Sequence, residues 1–129
     1  MYKIIHFPKI NDPRGNLSFI EYPIYLPFEM KRVFWTYEVP SDESRGGHAY
    51  YEQEEVIIAL SGSFEVIITN RDGSKEKIAL NRSYFGLYIS PNTWRHMENF
   101  STNSLALHLT GSIFNEGDYI REFDKFLNL

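Results

Sequence analysis

Residues 45–62 read Arg-Gly-Gly-His-Ala-Tyr-Tyr-Glu-Gln-Glu-Glu-Val-Ile-Ile-Ala-Leu-Ser-Gly. Their second half, residues 55–60, is a short apolar run that ends at a turn around Gly62, a pattern typical of a buried β-strand. In the first half, His48 and Tyr50 lie two positions apart, so on a strand their side chains point to the same face. The stretch therefore predicts that chemically active side chains face the interior of a β-structure.

Similar runs occur on both sides of this stretch, and turn-forming clusters separate them at a spacing of roughly 8–12 residues that is typical of sandwiches and barrels. These runs, rich in β-branched and aromatic residues, are 17–21, 31–39, 64–69, 75–80, 85–90 and 104–110. Asp72-Gly73 between two of them predicts a hairpin turn. Only residues 118–127 predict a helix, because apolar residues recur there at i, i+3 and i+4. We therefore predict one antiparallel all-β domain over residues 1–129 with a short C-terminal helix.

Composition excludes several classes of function. The chain has 129 residues, enough for one domain, and no cysteine, which excludes disulfides, thiolate zinc sites and cysteine nucleophiles. Its net charge of −4 comes from scattered residues without a basic stripe, so we expect no nucleic-acid partner. We see no signal peptide and no apolar stretch long enough for a membrane span. A cytoplasmic protein with no membrane partner is expected.

The stretch 45–62 also resembles the first motif of the cupin superfamily, in which two histidines and a glutamate point into a small barrel. His48 fills the first histidine position, Tyr50 takes the place of the second, and the glutamate is Glu54 or Glu55. Four residues resemble the second cupin motif in their order: Gly86, Pro91, His96 and Asn99. The resemblance implies a cupin fold, a double-stranded β-helix or jelly-roll-like antiparallel barrel.

Four longer motifs carry a narrower resemblance. They are PFEMKRV at 27–33, RGGHA at 45–49, GLYISP at 86–91 with Trp94, and DYIR at 118–121 with Asp124. In this order and spacing they resemble the TDP-4-keto-6-deoxyglucose 3,4-ketoisomerases, cupins that make keto-sugars for bacterial surface polysaccharides such as O-antigen. The resemblance implies a homodimer that uses no cofactor or metal, in some members with exchanged N-terminal strands. It also implies a downstream pyridoxal-phosphate aminotransferase that traps the 3-keto sugar.

The reaction implied by this resemblance moves a carbonyl of a TDP-linked keto-sugar from C4 to C3. The hydrogen on C3 is acidic because it is α to the carbonyl, so a base can remove it and form an enediolate. A histidine suits this proton transfer, and His48 matches the base of the family. Tyr50, at a position where the family usually has a second histidine, can donate a hydrogen bond to the enediolate or relay a proton. We therefore predict that His48 and Tyr50 are catalytic.

Arginines are the expected ligands of the diphosphate, because their planar fork matches phosphate oxygens. Arg32 and Arg45 match arginine positions of the family. Arg14 and Arg95 match two positions that differ with the C4 configuration of the product. An arginine at position 14 is typical of galacto-forming members, whereas an arginine at position 95 is typical of gluco-forming members. This chain therefore combines one feature of each type. We favour the gluco product, as a precursor of a 3-amino-3,6-dideoxyhexose.

Two alternatives stay open. His96 stands at the metal-histidine position of cupins, so His48, a glutamate and His96 are a candidate two-histidine, one-carboxylate site of a metal-dependent enzyme. The missing second histidine at Tyr50 is also compatible with a non-catalytic cupin that only binds a TDP-sugar.

The remaining candidates have simpler interpretations. Trp94 and Tyr37 are possible covers for the thymine, although aromatic residues more often belong to a core or an interface. We expect structural roles for His6 and His108. Arg121 and Asp124, three positions apart on the predicted helix, are expected to form a structural pair.

Overall fold

The computed structural model describes all 129 residues and consists mainly of antiparallel strands. The strands are β1 (Tyr2–His6), β2 (Lys9–Ile10), β3 (Leu17–Ser18), β4 (Arg32–Tyr37), β5 (Arg45–Tyr50), β6 (Glu55–Ser61), β7 (Phe64–Thr69), β8 (Lys75–Leu80), β9 (Phe85–Ile89), β10 (Trp94–Glu98), β11 (Leu105–Thr110) and β12 (Tyr119–Ile120), and the last element is the helix α1 (Phe123–Leu127). One five-stranded sheet has the order β1-β9-β6-β11-β4, the other β12-β5-β10-β7-β8, and β2 pairs with β3. No helix is long and apolar enough to cross a bilayer.

Side chains from both five-stranded sheets meet in one interior. The largest apolar cluster takes members from β6, β7, β8, β9, β10 and β11. Its buried residues are Ile57, Ala59, Phe64, Val66, Ile68, Leu80, Leu87, Ile89, Met97, Phe100 and Ala106. Alternation along each strand directs one face of the strand into this core. The predicted fold class, an antiparallel cupin-like β-structure with a short C-terminal helix, is confirmed.

The inward faces change from apolar to polar along the strands. On β6, Glu55 precedes Ile57 on the same face, and on β10, Arg95 precedes Met97 in the same way. On β11, His108 lies on the buried face too. One end of the interior is therefore a packed apolar core, and the other end carries charged and hydrogen-bonding groups.

The outer face of the first sheet is covered by the long segment between β1 and β4. Phe7, Leu26 and Phe28 from this segment pack against Val56 and Ile58, which lie on the outward face of β6. Burying both faces of β6 explains why its sequence is a continuous apolar run rather than an alternating one.

The predicted helix over residues 118–127 is wrong in its first half. Strand β12 pairs with β5 there, and only the last five residues of the range form α1. The Asp118 carboxylate accepts hydrogen bonds from the backbone N–H groups of Glu52, at 2.9 Å, and Gln53, at 3.0 Å. These long-range bonds satisfy the backbone after β5 and hold the tail in an extended conformation.

Two glycines fix tight turns. Gly73 lies in the predicted hairpin turn between β7 and β8 with φ +88°, which confirms the turn. Gly62, the last residue of the first cupin motif, has φ +67°, and a Cβ atom there would come within 2.8 Å of the Ser104 Cα. Only glycine fits this backbone conformation and this space without strain.

Candidate active site

The polar end of the interior forms a cavity of about 360 Å³. Six strands from both large sheets line it, namely β4, β5, β6, β10, β11 and β12. A larger groove of about 560 Å³ lies between the N-terminal segment and the barrel, and it contains neither a histidine nor a carboxylate. The smaller cavity is therefore the candidate site for acid–base chemistry, since it holds two histidines, a glutamate, two tyrosines and three arginines.

His48 lies on β5 and faces the cavity. Its Nε2 atom is buried without a hydrogen-bond partner. Burial, reinforced by the positive charge of Arg95, lowers the pKa of His48 from 6.5 to about 3. The imidazole is therefore neutral at pH 7, with a nitrogen free to accept a proton from a ligand.

Tyr50 lies beside His48, as the two-residue spacing predicts. The two rings meet edge to face with centroids 4.7 Å apart, and Tyr119 meets Tyr50 at the same distance. Burial raises the pKa of the Tyr50 phenol above its ordinary value, and the negative charge of Glu55 raises it further. Tyr50 is therefore a protonated phenol that can donate a hydrogen bond into the site.

Arg95 is a buried cation, with a side chain only 2 % exposed. None of its three guanidinium nitrogens makes a hydrogen bond. The nearest carboxylate oxygen, Oε1 of Glu55, lies 3.5 Å from Nη2, and the guanidinium carbon lies 4.9 Å from the Tyr50 ring centroid. A buried guanidinium with free N–H groups suits an oxygen-rich ligand in the cavity.

The structure decides between the two candidate glutamates. Glu55 is buried and faces the cavity, whereas Glu54 accepts a hydrogen bond from Tyr88 outside it. Burial opposes the ionisation of Glu55, but the hydrogen bond from His108 and the charge of Arg95 outweigh it and hold the pKa of Glu55 well below its usual range. Glu55 is therefore the carboxylate of the site.

His108, for which a structural role is expected, lies in the predicted strand, and its side chain faces the cavity. His108 lines the cavity, and its Nδ1 lies 2.9 Å from Glu55 Oε2. The alternation in residues 105–110 carried the signal, because Ala106 and Thr110 share the buried face of β11 with His108. His108 thus lies on the face of β11 opposite to its leucines, and this face belongs to the candidate site.

Three arginines lie at or near the mouth of the cavity. Arg45 and Arg121 line it, and both are exposed to solvent. Arg32 lies with its guanidinium 4.4 Å above the ring of Phe34, a residue of the cavity wall. The structure therefore places Arg45 and Arg121 at the cavity and Arg32 beside its wall, and diphosphate binding by Arg32 and Arg45 stays a prediction.

The expected Arg121–Asp124 pair is not formed. Arg121 instead donates two hydrogen bonds to Glu116, at 2.7 and 2.9 Å, and lies 4.1 Å from the Tyr119 ring centroid. Since residues 119–122 do not form a helix, the three-residue spacing does not bring residues 121 and 124 together.

Four of the predicted site residues lie away from the cavity. Arg14 pairs with Asp12 in a turn, with its side chain 91 % exposed. Tyr37 is exposed on the outward face of the edge strand β4. Trp94 packs against Phe123 of α1, at 5.3 Å between ring centroids.

His96 is the fourth, and it hydrogen-bonds Glu98 at 2.8 Å outside the cavity. Since Arg95 points inward on β10, its strand neighbour His96 points outward. The metal site considered above, formed by His48, a glutamate and His96, is therefore not assembled.

All 129 residues match the protein family described as FdtA: WxcM-like, C-terminal. The chain belongs to this family. It is 38% identical over 124 residues to the TDP-4-oxo-6-deoxy-alpha-D-glucose-3,4-oxoisomerase of Aneurinibacillus thermoaerophilus, covering 96% of this chain and 88% of the relative. The predicted resemblance to the 3,4-ketoisomerases is thereby confirmed.

Solved structures of the same family have closely similar folds. A 3,4-ketoisomerase from Helicobacter canadensis is 42% identical, with a TM-score of 0.93 over 98% of this chain and 95% of the other. A variant of the 3,4-ketoisomerase QdtA from Thermoanaerobacterium thermosaccharolyticum, in complex with TDP-4-keto-6-deoxyglucose, is 35% identical, with a TM-score of 0.95 over 98% of this chain and 91% of the other.

Proposed function

We propose that the chain is a TDP-sugar 3,4-ketoisomerase that moves the keto group of TDP-4-keto-6-deoxyglucose from C4 to C3. The observation that carries this proposal is the pairing of a neutral His48, with a free buried nitrogen, and a buried Arg95 with free N–H groups in one cavity. The proposal agrees with the activity named for one relative and with the ligand named for another.

The chemistry follows from the placement of these groups. His48 removes the proton from C3, and the electron pair of the broken C–H bond forms the C3–C4 double bond while the carbonyl electrons move to the C4 oxygen. The resulting enediolate is negative, and Arg95 and Tyr50 can donate hydrogen bonds to its oxygens. Return of the proton from His48 to C4, with one proton moved between the oxygens, completes a redox-neutral isomerisation.

The nucleotide end of the substrate extends to the mouth of the cavity in this proposal. Arg45 is exposed there, and Arg32 lies against the wall residue Phe34. A diphosphate at the mouth receives charge-assisted hydrogen bonds from such arginines without losing its remaining hydration. The sugar then reaches the buried groups.

We propose the gluco configuration at C4 of the product. Of the two positions that differ between gluco-forming and galacto-forming members, Arg95 lines the cavity and Arg14 does not. Arginine at position 95 is the gluco-type residue according to the family resemblance. The residue that can contact the reacting carbons therefore favours TDP-3-keto-6-deoxyglucose.

The biological setting belongs to the same proposal. We expect a homodimer, because edge strand β4 exposes the apolar side chains of Val33, Trp35 and Tyr37 in a row. The 3-keto sugar is a reactive intermediate, so an aminotransferase is expected to consume it in the cytoplasm. The resulting aminosugar is the type found in surface polysaccharides.

Proton NMR of TDP-4-keto-6-deoxyglucose in D₂O with the EDTA-treated protein tests the proposal. We expect a 3-keto product with deuterium at C4, because the proton held by His48 exchanges with the solvent. A parallel reaction in H₂O keeps H4, whose coupling to H5 gives the configuration at C4. An unchanged spectrum in the presence of folded protein that binds TDP would instead support the non-catalytic binding function, for which the tyrosine at position 50 is the motivating observation.

A further inference from the structure

Glu55 divides its carboxylate between two buried partners. Oε2 lies 2.9 Å from Nδ1 of His108, and Oε1 lies 3.5 Å from Nη2 of Arg95. The side chains of all three residues are at most 4 % exposed. An ionised carboxylate only accepts hydrogen bonds, so His108 donates from Nδ1. One carboxylate therefore fixes the placement of two groups that come from different sheets.

His108 itself is held on both sides. Its ring stacks on Phe34 with centroids 4.3 Å apart and planes 4° from parallel. Its Nε2 lies 3.3 Å from the hydroxyl oxygen of Thr36, which donates to it when Nδ1 carries the proton. Since β4 and β11 are hydrogen-bonded neighbours, these contacts belong to the sheet itself. His108 is a rigid support for Glu55.

Arg95, by contrast, has no support of its own. Its guanidinium makes no hydrogen bond, and it lies close to one charge, Glu55, and one ring, Tyr50. Burial of an uncompensated cation is strongly unfavourable, so Arg95 depends on the Glu55 charge to stay in the cavity. The 3.5 Å separation supplies that charge without using an N–H group in a short hydrogen bond. The guanidinium donors stay available for ligand oxygens.

We infer that Glu55 and His108 are positioning residues, which hold Arg95 with its N–H groups directed at the enediolate oxygens of the substrate. This inference rests on the proposed isomerisation. Neither residue touches the sugar in this account. They act through Arg95. Because they hold the guanidinium in place before the reaction begins, its charge does not have to be oriented during the reaction, and this contributes to the rate.

A double-mutant cycle tests the inference. Glu55→Gln is expected to lower kcat by about 100-fold, the size of the loss of one transition-state donor, with little change in KM. In an Arg95→Met background, Glu55→Gln should cause no further loss, because the group through which it acts is absent. Glu54→Gln is the matched control, since that side chain lies outside the cavity, and it should keep wild-type kcat.

The inference would be overturned if the kcat losses of Glu55→Gln and Arg95→Met multiplied in the double variant. It would also be overturned if folded Glu55→Gln kept the wild-type kcat. His108→Gln keeps the buried Glu55–Arg95 charge pair, so it remains informative if Glu55→Gln does not fold. It should lower kcat about tenfold with little change in KM. Failure of the wild-type protein to isomerise the sugar would overturn the proposed function instead.

A measurement independent of turnover completes the test. In ¹⁵N NMR, the guanidinium of Arg95 should give separate Nη signals in the wild type, because its rotation is hindered, and averaged signals in Glu55→Gln. Separate signals in both proteins would contradict the positioning role, whatever the activity of the wild type.

Discussion

His48 and Arg95 occupy paired positions on the neighbouring strands β5 and β10, and both side chains line the same cavity. The positive charge beside the imidazole disfavours protonation of His48, and burial disfavours it more strongly. In the proposed mechanism, the same charge also stabilises the negative enediolate of the sugar. One guanidinium would then keep the proposed base neutral before the reaction and stabilise the anion during it.

The protonation of His48 can be measured directly. We expect its imidazole to titrate in ¹⁵N or ¹³C NMR with a pKa of about 3, far below the ordinary value of 6.5. Arg95→Met should raise this pKa, since it removes one of the two main causes of the shift. A His48 titration near pH 6.5 in the wild type would contradict the described burial.

This shift also sets the sign of one contribution to stability. In the unfolded chain, His48 binds a proton near pH 6.5, whereas the folded chain binds it only near pH 3. Acidification from pH 6.5 therefore favours the unfolded state, and the free energy of unfolding falls. Urea denaturation at pH 7 and pH 5 should show a smaller fall in His48→Asn than in the wild type. An equal fall in both proteins would speak against this assignment.

Tyr50→Phe tests the role of the phenol. Because the pKa of Tyr50 is raised above 10, its O–H remains in place throughout the range in which the protein is assayed. Removing this donor should lower kcat by about tenfold or more. The wild-type pH–rate profile should lack a basic limb from Tyr50 below about pH 10. Full activity of Tyr50→Phe would make Tyr50 a packing residue.

Arg45→Ala tests the placement of the diphosphate. A contact with a non-reacting part of the substrate is equally strong in the ground and transition states, so its loss should raise KM by about tenfold with kcat nearly unchanged. Arg82, whose side chain donates to the Asn81 carbonyl at the surface, is the matched control. A similar KM increase in Arg82→Ala would indicate a general effect of charge.

Gly62→Ala and Gly73→Ala separate backbone strain from steric overlap. Both glycines have positive φ, but only at Gly62 would a Cβ atom meet other atoms, 2.8 Å from the Ser104 Cα. We expect Gly73→Ala to lower the free energy of unfolding by about 1–2 kcal/mol, the cost of a left-handed conformation. Gly62→Ala should lower the free energy of unfolding, measured by urea denaturation, clearly more than Gly73→Ala does. Equal losses would mean that the chain near Ser104 relaxes freely.

Local sequence patterns predicted most of the sheet. Residues 64–69 and 75–80 match β7 and β8 at both ends. The turn residues Asp72-Gly73 and the composition of the two runs both predict the same hairpin. The helix predicted over residues 118–127 is wrong only before residue 123, because strand β12 depends on pairing with β5, far away along the chain. Local periodicity carries no information about such a partner.

The candidate site could be predicted in part. The two-residue spacing of His48 and Tyr50 predicts that they share one face, whereas the catalytic roles expected of them come from the family resemblance. The same rule shows that Arg95 and His96 cannot both face the cavity, but which of them does depends on how β10 is paired. Alternation along residues 105–110 indicates which face of the strand His108 occupies, but its contact with Glu55 could not be predicted, because the two residues are 53 positions apart.

The most direct test of the account compares two histidine variants in D₂O. His48→Asn and His96→Asn are incubated with TDP-4-keto-6-deoxyglucose. NMR follows deuterium entry at C3 of the remaining 4-keto substrate and its conversion to the 3-keto sugar. We predict that His48→Asn loses both by orders of magnitude while it still folds and binds TDP, and that His96→Asn, altered outside the cavity, keeps both. Undiminished exchange and conversion in His48→Asn would contradict the central claim that His48 is the base.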